Sequence, residues 1–441
     1  MNFNVITKGA VNLALKRYMG PFWFRRRWLN KTQYLPKEQL EQIQLECLRK
    51  LLVHSYKTIP FYHDLMNQYH FNPEIKDVKE IEKLPILTKK NILEAGEKIL
   101  SSKYPKFTSS IGLTGGTTGT PLRIQRNFSS VETEHAFVRR QWDWAGLSLK
   151  DRTAFLSGRR IISPDQETGK LYAYDPFMKE LILSNYHLCP QNVRQFAEAI
   201  IKYKVSSIAG YPSSIFYFAQ ICEDLGCQVK LKAALTTSET LADYMRATIE
   251  RVFGCKVFDF YGAAERVCYI FTCEHGNYHI LPEYGLTELI PQSDHMAGSY
   301  KIIATGFWNW AMPLIRYDTG DVLELSDKSC SCGRNFQTVK RINGRTGTFI
   351  QTPSGKKYSP TLMARVSKMS HNILQVQIIQ DRIDHILVTY IPNSKFTQDD
   401  LKEFQKNMRD YLPSELSIDF KETDSVIKTE SGKTNLIVSQ L

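Results

Sequence analysis

Leu113-Thr114-Gly115-Gly116-Thr117-Thr118-Gly119-Thr120-Pro121-Leu122 decides how the rest of the chain reads. Glycines let backbone N–H groups close around an anion, and threonine hydroxyls add donors for phosphate oxygens or a ligand for Mg2+. The stretch lacks the Gly-Lys-Ser/Thr ending of a Walker loop, so a nucleotide held here is held differently. Taken alone, an ordinary Gly/Thr turn between two strands fits the same residues.

Outward from this loop, strand-like and helical patterns alternate. Short apolar runs at 153–156, 207–209, 233–236 and 256–260 are separated by amphipathic stretches at 192–203 and 241–253, the texture of an α/β protein with a largely parallel sheet. Upstream, Leu40, Ile43, Leu45, Leu48, Leu51, Leu52 and Val53 recur at helical spacing, and Thr58-Ile59-Pro60 ends the run because proline has no N–H to continue it. From 278 to 325 the runs shorten and turn residues crowd between them, at 279–281, 285–290, 300–305 and 322–325. Beyond Gly344 come strand patterns at 374–380 and 386–391, a helical one at 398–411 and a lysine-bearing loop. With 441 residues the chain exceeds one hydrophobic core. The expected organisation is a large N-terminal domain at 1–344, with a basic lead-in at 1–35 and a β-rich part at 278–344, and a small mobile C-terminal α+β lid at 345–441.

Composition narrows the class. The apolar run from Gly9 to Leu15 is broken by Lys8, Lys16 and Arg17, far short of the ~20 residues a spanning helix needs, so the cytoplasm is the expected compartment. Nine scattered cysteines, an odd number, argue against a disulfide framework and for reduced thiols or metal ligands. The net charge of +12 fits nucleic acid, anionic lipid or a phosphate-rich substrate, and no nucleic-acid recognition motif accompanies it. Residues 1–31 carry Lys8, Lys16, Arg17, Arg25, Arg26, Arg27 and Lys31 with no acid, interleaved with aromatic and aliphatic residues. Such an amphipathic segment either lies on the inner face of a membrane or packs its apolar side on the protein; the second is preferred.

Four further segments follow the loop in order. Tyr261-Gly262-Ala263-Ala264-Glu265 comes after a strand pattern, and Arg316-Tyr317-Asp318-Thr319-Gly320-Asp321 after Pro313-Leu314-Ile315. Asn343-Gly344-Arg345 opens the tail and Lys428-Thr429-Glu430-Ser431-Gly432-Lys433 nearly ends it. With Ile59-Pro60-Phe61-Tyr62 and Gly210-Tyr211-Pro212-Ser213-Ser214, this array resembles the adenylate-forming superfamily of acyl-CoA synthetases, nonribosomal adenylation domains and luciferases. Within it, the phenylacetate–CoA ligase-like and capsular polysaccharide biosynthesis ligases are most similar, over roughly residues 55–435.

The resemblance implies an enzyme that uses ATP and Mg2+ to activate a small carboxylic acid as its acyl-AMP, releases pyrophosphate, and passes the acyl group to coenzyme A or to an amine. Thr114, Gly115, Gly116, Thr117, Thr118 and Gly119 are the implied phosphate cradle, and Glu265 the Mg2+ ligand, although a Glu in a first helical turn would read the same. Tyr261, with Gly262 and Ala263, is implied against the adenine, and Asp321 on the ribose hydroxyls. Arg345 is implied at the ribose or phosphate, and Ser238 and Glu239 beside the base. Lys433 would otherwise be a solvated charge; the resemblance makes it, with Glu265 and Thr118, a catalytic residue that neutralises charge as pyrophosphate leaves. Two departures stand out. Gly115 replaces a serine frequent in the family, and Thr346-Gly347-Thr348 stands where an acidic hinge pair is usual. The joint presence of Glu265, Asp321 and Lys433 argues against a non-catalytic nucleotide-binding protein on the same scaffold. Tyr211, Pro212 and 263–269 are candidate acid-pocket residues whose aromatic content fits an aryl acid or plain core packing.

Cys273-Glu274-His275-Gly276-Asn277-Tyr278-His279 and Cys330-Ser331-Cys332-Gly333 offer a Cys3His set for tetrahedral zinc, with His275 and His279 competing for the fourth place. The resemblance favours His279. Because the pairs flank the β-rich part, the zinc is expected to be structural; unpaired reduced cysteines near a turn are the rival reading.

Overall fold

The computed structural model describes residues 18, 20–105, 109–114, 122–159, 161, 169–292, 298–345, 350–358, 372–429 and 433–441, and of residues 344, 345 and 357 the backbone alone. Gly115, Gly116, Thr117, Thr118, Gly119, the Thr346-Gly347-Thr348 segment, the lead-in up to residue 17 and the side chain of Arg345 lie outside the described residues. Two compact units emerge, Met1–Ser148 with Phe258–Gly344, and Leu149–Val257 with Arg345–Leu441.

In the first unit, the helix Lys37–Thr58 buries Leu40, Leu48, Leu51 and Leu52 along one stripe. Each fully buried leucine contributes about 1.5–3 kcal/mol. Ile59 adopts an extended backbone (φ −125°), as a residue before proline must, and Pro60 opens the next helix, Pro60–Gln68, at the position where its missing N–H is not needed. The lead-in helix Phe22–Thr32 buries Phe22, Leu29 and Thr32, and leaves Trp23 and Phe24 48% and 81% exposed, so it both packs on the protein and presents aromatics to solvent. The strands here are antiparallel. Gly285–Pro291 pairs with Ser299–Gly306, which pairs with Tyr317–Leu325; Tyr278–Ile280 lies between Thr338–Arg345 and Tyr269–Thr272, and the latter pairs with the end of Lys256–Gly262. A separate hairpin, Ser109–Leu113 with Arg123–Asn127, carries the Gly/Thr loop and leads into the helix Phe128–Trp144.

Parallel pairing belongs to the second unit. Thr153–Ser157 lies between Glu180–Ser184 and Ser207–Gly210, and Ser207–Gly210 pairs with Ala233–Thr237, all parallel. Tyr172–Asp175 is the antiparallel edge. The sheet architecture is therefore mixed, with parallel strand pairs at 149–257 and again in the C-terminal part, where Ile373–Arg382 pairs with Ile437–Ser439 and His385–Pro392 with Ser417–Glu422. Helices Pro190–Lys202, Pro212–Asp224 and Asp243–Phe253 connect the strands, two of them opened by proline. Residues 373–439 form a small α+β part: strands in the order Ser417–Glu422, His385–Pro392, Ile373–Arg382, Ile437–Ser439, with one helix, Gln398–Tyr411. A capping box between Thr397 and Asp400 starts that helix. Ile378, Ile386, Val388, Phe404, Met408 and Leu416 make its own core. No helix among the described residues is long and apolar enough to cross a membrane.

Candidate active site

Two of the motif segments meet inside the first unit. Tyr261, at the end of its strand, donates its hydroxyl to Asp321 Oδ2 at 2.7 Å. Burial and the neighbouring Asp321 carboxylate push the Tyr261 phenol well above its usual range, so it stays a donor. Asp321 is itself buried, and its backbone N–H is held by Thr319 Oγ1 at 3.2 Å. The Arg316-to-Asp321 segment lies almost wholly within the strand Tyr317–Leu325, which starts earlier than its apolar pattern indicated. Arg316 has a left-handed backbone (φ 51°). Its guanidinium grips Glu288 at 2.7 Å and the Glu82 carbonyl at 2.9 Å, a fork that pins the start of the strand. Glu265 is buried; its Oε1 accepts from the Tyr317 hydroxyl at 3.4 Å, and its Oε2 has no hydrogen-bond partner among the described residues. A buried carboxylate oxygen without a donor is what an absent hard cation would leave behind, so Glu265 fits a Mg2+ ligand. Thr114 closes the base of the Gly/Thr loop, donating its backbone N–H to the Leu122 carbonyl at 3.0 Å and accepting the Leu122 N–H on Oγ1 at 2.9 Å.

The second unit gathers the remaining candidates. Lys433 Nζ donates to the Ser238 carbonyl at 3.1 Å and lies 5.8 Å from the centre of the Tyr211 ring. Glu239 accepts the Ser213 N–H at 3.2 Å on one oxygen and the Thr434 N–H at 3.3 Å on the other, which ties the turn after Ala233–Thr237 to the lysine-bearing turn. Desolvation raises the Glu239 carboxyl above its usual value, while bonds from Ser213 and the charge of Lys433 pull it back down. Ser238 holds φ 72°, a strained conformation for a residue with a Cβ and one that clusters at functional turns. Lys433 is placed by the Thr429 hydroxyl, which accepts its N–H at 3.1 Å.

Cys273, His279, Cys330 and Cys332 bring their ligand atoms within 4.8 Å of one another. Cys273 Sγ lies 3.6 Å from Cys330 Sγ, and Cys332 Sγ 3.5 Å from His279 Nε2. Those separations are close to the edges of a tetrahedron built on Zn–S bonds of about 2.3 Å. Burial lowers the His279 imidazole to about 4, leaving it neutral and able to coordinate. Asn277 Nδ2 and the His275 N–H point at the sulfurs of Cys330 and Cys273, at 3.2 and 3.4 Å, the support that thiolate ligands require. His275 stands outside the set, its Nδ1 3.3 Å from the Ser331 hydroxyl.

Residues 350–440 match the CapK C-terminal domain family. Along its whole length the chain is 24% identical to Protein CapK of Staphylococcus aureus, covering 97% of that protein. It is 22% identical to the phenylacetate-coenzyme A ligase of Thermus thermophilus over 73% of each chain. Among solved structures, 2-hydroxyisobutyryl-CoA ligase in the postadenylation state in complex with R3-HIB-AMP superposes with a TM-score of 0.70, at 16% identity, over 96% of this chain and 94% of that one. This chain is a relative of CapK and of the phenylacetate–CoA ligases. Its fold is that of the adenylate-forming ligases.

Several residues near these groups carry no sequence signal. Lys428 is half-buried, donates to the Asn185 carbonyl, and is lowered by desolvation to about 8. It bridges to Thr434 beside Lys433, yet nothing in its neighbours distinguishes it from a surface lysine. Arg126, Glu134 and Arg266 form a half-buried charged group against the Ala263-Ala264-Glu265 turn; 140 residues separate Arg126 from Arg266, so only folding brings them together.

Proposed function

We propose that the chain is an ATP-dependent ligase that activates a carboxylic acid as acyl-AMP with release of pyrophosphate and then transfers the acyl group to coenzyme A. The observation that carries this reading is the placement of Lys433 against the Ser238-Glu239 turn, on a chain whose relatives are acid ligases. A lysine kept on a carbonyl and an aromatic face, beside a carboxylate tied to its own turn, is held ready for an anion. In the adenylation step it would neutralise charge on the attacking carboxylate and the α-phosphate. Asp321, oriented by Tyr261, offers a carboxylate for the two ribose hydroxyls, and Thr114 fixes the base of the phosphate loop. Mg2+ held by Glu265 would supply charge neutralisation at the phosphates. The Cys3His set, remote in sequence from Lys433 and closed by four protein ligands, suits a structural zinc. With none of the nine cysteines in a disulfide, we place the enzyme in a reducing cytoplasm. Exposed Trp23 and Phe24 beside Arg27 support peripheral contact with an anionic membrane, testable by co-sedimentation with anionic vesicles.

A second acceptor, an amine of an amino acid or sugar in surface polysaccharide assembly, is favoured by a different observation. The match to CapK runs end to end and includes its C-terminal domain family, whereas the phenylacetate–CoA ligase of Thermus thermophilus is matched over 73%. Incubation with ATP, a panel of acids, and either CoA or amines separates the two. Pyrophosphate release with thioester formation, independent of added amine, supports CoA; amide formation without CoA supports the amine; no acid-dependent pyrophosphate release refutes both.

A further inference from the structure

The group behind the Ala263-Ala264-Glu265 turn carries more positive charge than it pairs. Arg126 and Arg266 share one carboxylate, Glu134, which is salt-bridged to Arg266 and accepts from the Tyr269 hydroxyl at 2.5 Å. Tyr269 stacks on Tyr284 with ring centres 3.9 Å apart, an aromatic wall beside the same group. Arg126 gives one N–H to the Ala264 carbonyl. Its Nε, and the Nε and Nη1 of Arg266, are buried without a partner among the described residues. Two guanidiniums against one carboxylate leave one uncompensated charge, an arrangement that costs stability unless something absent completes it.

The backbone itself accommodates this group. A Cβ at Gly112 would lie 2.1 Å from the Arg126 guanidinium carbon, and one at Gly262 would lie 2.5 Å from the Tyr269 ring, so bare backbone makes room for both side chains. Arg266 holds φ 57°, outside the range its Cβ favours, which aims it into the group.

The surplus of one charge matches a single carboxylate. The triphosphate of ATP is a poor match, since it brings several charges and its own Mg2+. Arg126 stands four residues beyond Leu122, the end of the Gly/Thr stretch, and bonds to Ala264, which directly precedes Glu265, so in sequence the pair adjoins the residues assigned to the phosphates. We infer that Arg126 and Arg266 recognise a second carboxylate on the acid being activated, making the substrate class dicarboxylic acids. The inference rests on the acid-activation reading above.

The test compares 4-carboxyphenylacetate with phenylacetate, and adipate with hexanoate, by ATP-dependent pyrophosphate release and by the rise in melting temperature that each acid produces. The diacid of at least one pair is expected to be favoured about tenfold or more in kcat/KM. Arg126→Gln and Arg266→Gln should lower that diacid-to-monoacid ratio by about 10- to 100-fold, the value of a buried charge-assisted bond. Arg126→Lys should retain most of the ratio, which a loss of packing alone would not allow. Monoacids used as well as their diacid partners, an unchanged ratio in both glutamine variants, or an effect on KM for ATP in place of the acid would each overturn the inference and leave acid activation standing. A wild type that releases no pyrophosphate with any acid, yet is stabilised by a diacid in an Arg126-dependent way, supports the arginine pair and refutes the activation reading.

Discussion

Glu283→Gln should be among the most damaging single substitutions in the first unit. Arg140 and Glu283 are both 0% exposed and meet in two bonds, 2.8 Å from Nη1 and 3.4 Å from Nη2. The guanidinium is walled by Phe137, Trp144 and Phe336 at 5.3, 5.3 and 5.5 Å, and its Nε has no partner among the described residues. Removing the negative charge leaves a buried cation whose remaining surroundings are aromatic faces. The expected cost is about 3–5 kcal/mol. At about 2–4 °C per kcal/mol for a unit of this size, that is a fall of roughly 6–20 °C in melting temperature. Replacing both partners, Arg140→Met with Glu283→Leu, removes the stranded charge, and the Thr32 hydroxyl keeps its bond to the Leu29 carbonyl at 3.3 Å. The double variant should therefore recover most of the loss. Urea denaturation of the wild type, both single variants and the double variant measures the coupling. A Glu283→Gln variant within 1 kcal/mol of wild type, or a double variant less stable than either single, would refute the reasoning.

Other outcomes follow from the same geometry. Purified protein should carry close to one zinc per chain, and Cys332→Ser should lose most of it and lower the melting temperature, whereas His275→Ala should keep it; elemental analysis decides between them. Asp321→Asn keeps the shape beside Tyr261 but weakens a charged acceptor, and should raise KM for ATP about tenfold or more with little change in KM for the acid. His385 lies between Asp381 at 2.5 Å and Asp419 at 3.1 Å, and its bond to Asp381 raises its pKa. A raised folded-state value means stabilisation present below the unfolded value near 6.5 and lost as pH rises through the folded one. The melting temperature of wild type relative to His385→Gln should accordingly be higher at pH 5.5 than at pH 8.5, and a pH-independent difference would sink the idea.

What the sequence disclosed follows periodicity and chemistry. The strands near 153, 207, 233 and 256 were legible because buried parallel strands are short apolar runs, as in Ser207–Gly210 and Ala233–Thr237, whereas Tyr172–Asp175 and Glu180–Ser184 were not read. Cys-x-Cys-Gly and the Cys273-to-His279 spacing named side chains that the fold gathers, because metal-like spacing is local in sequence. The hairpin Ser109–Leu113 with Arg123–Asn127 was not legible. Its second strand, Arg-Ile-Gln-Arg-Asn, has no apolar alternation and is held extended by pairing alone. The strand Tyr317–Leu325 was read too short because Asp318, Gly320 and Asp321 look like a turn, whereas Leu87 backbone bonds and the Lys301–Asp318 pair at 2.6 Å hold them in the ladder. Arg126, Glu134 and Arg266 are charges that any sequence reading places on a solvated surface. Their partial burial is a property of three distant segments, and so is the charge surplus that motivates the substrate proposal.

The central claim is that Lys433 serves adenylation. Lys433→Ala should abolish acid-dependent exchange of pyrophosphate into ATP while leaving acyl transfer from a supplied acyl-AMP to its acceptor within a fewfold of wild type. Exchange at near wild-type rate in the Lys433→Ala protein would contradict the account.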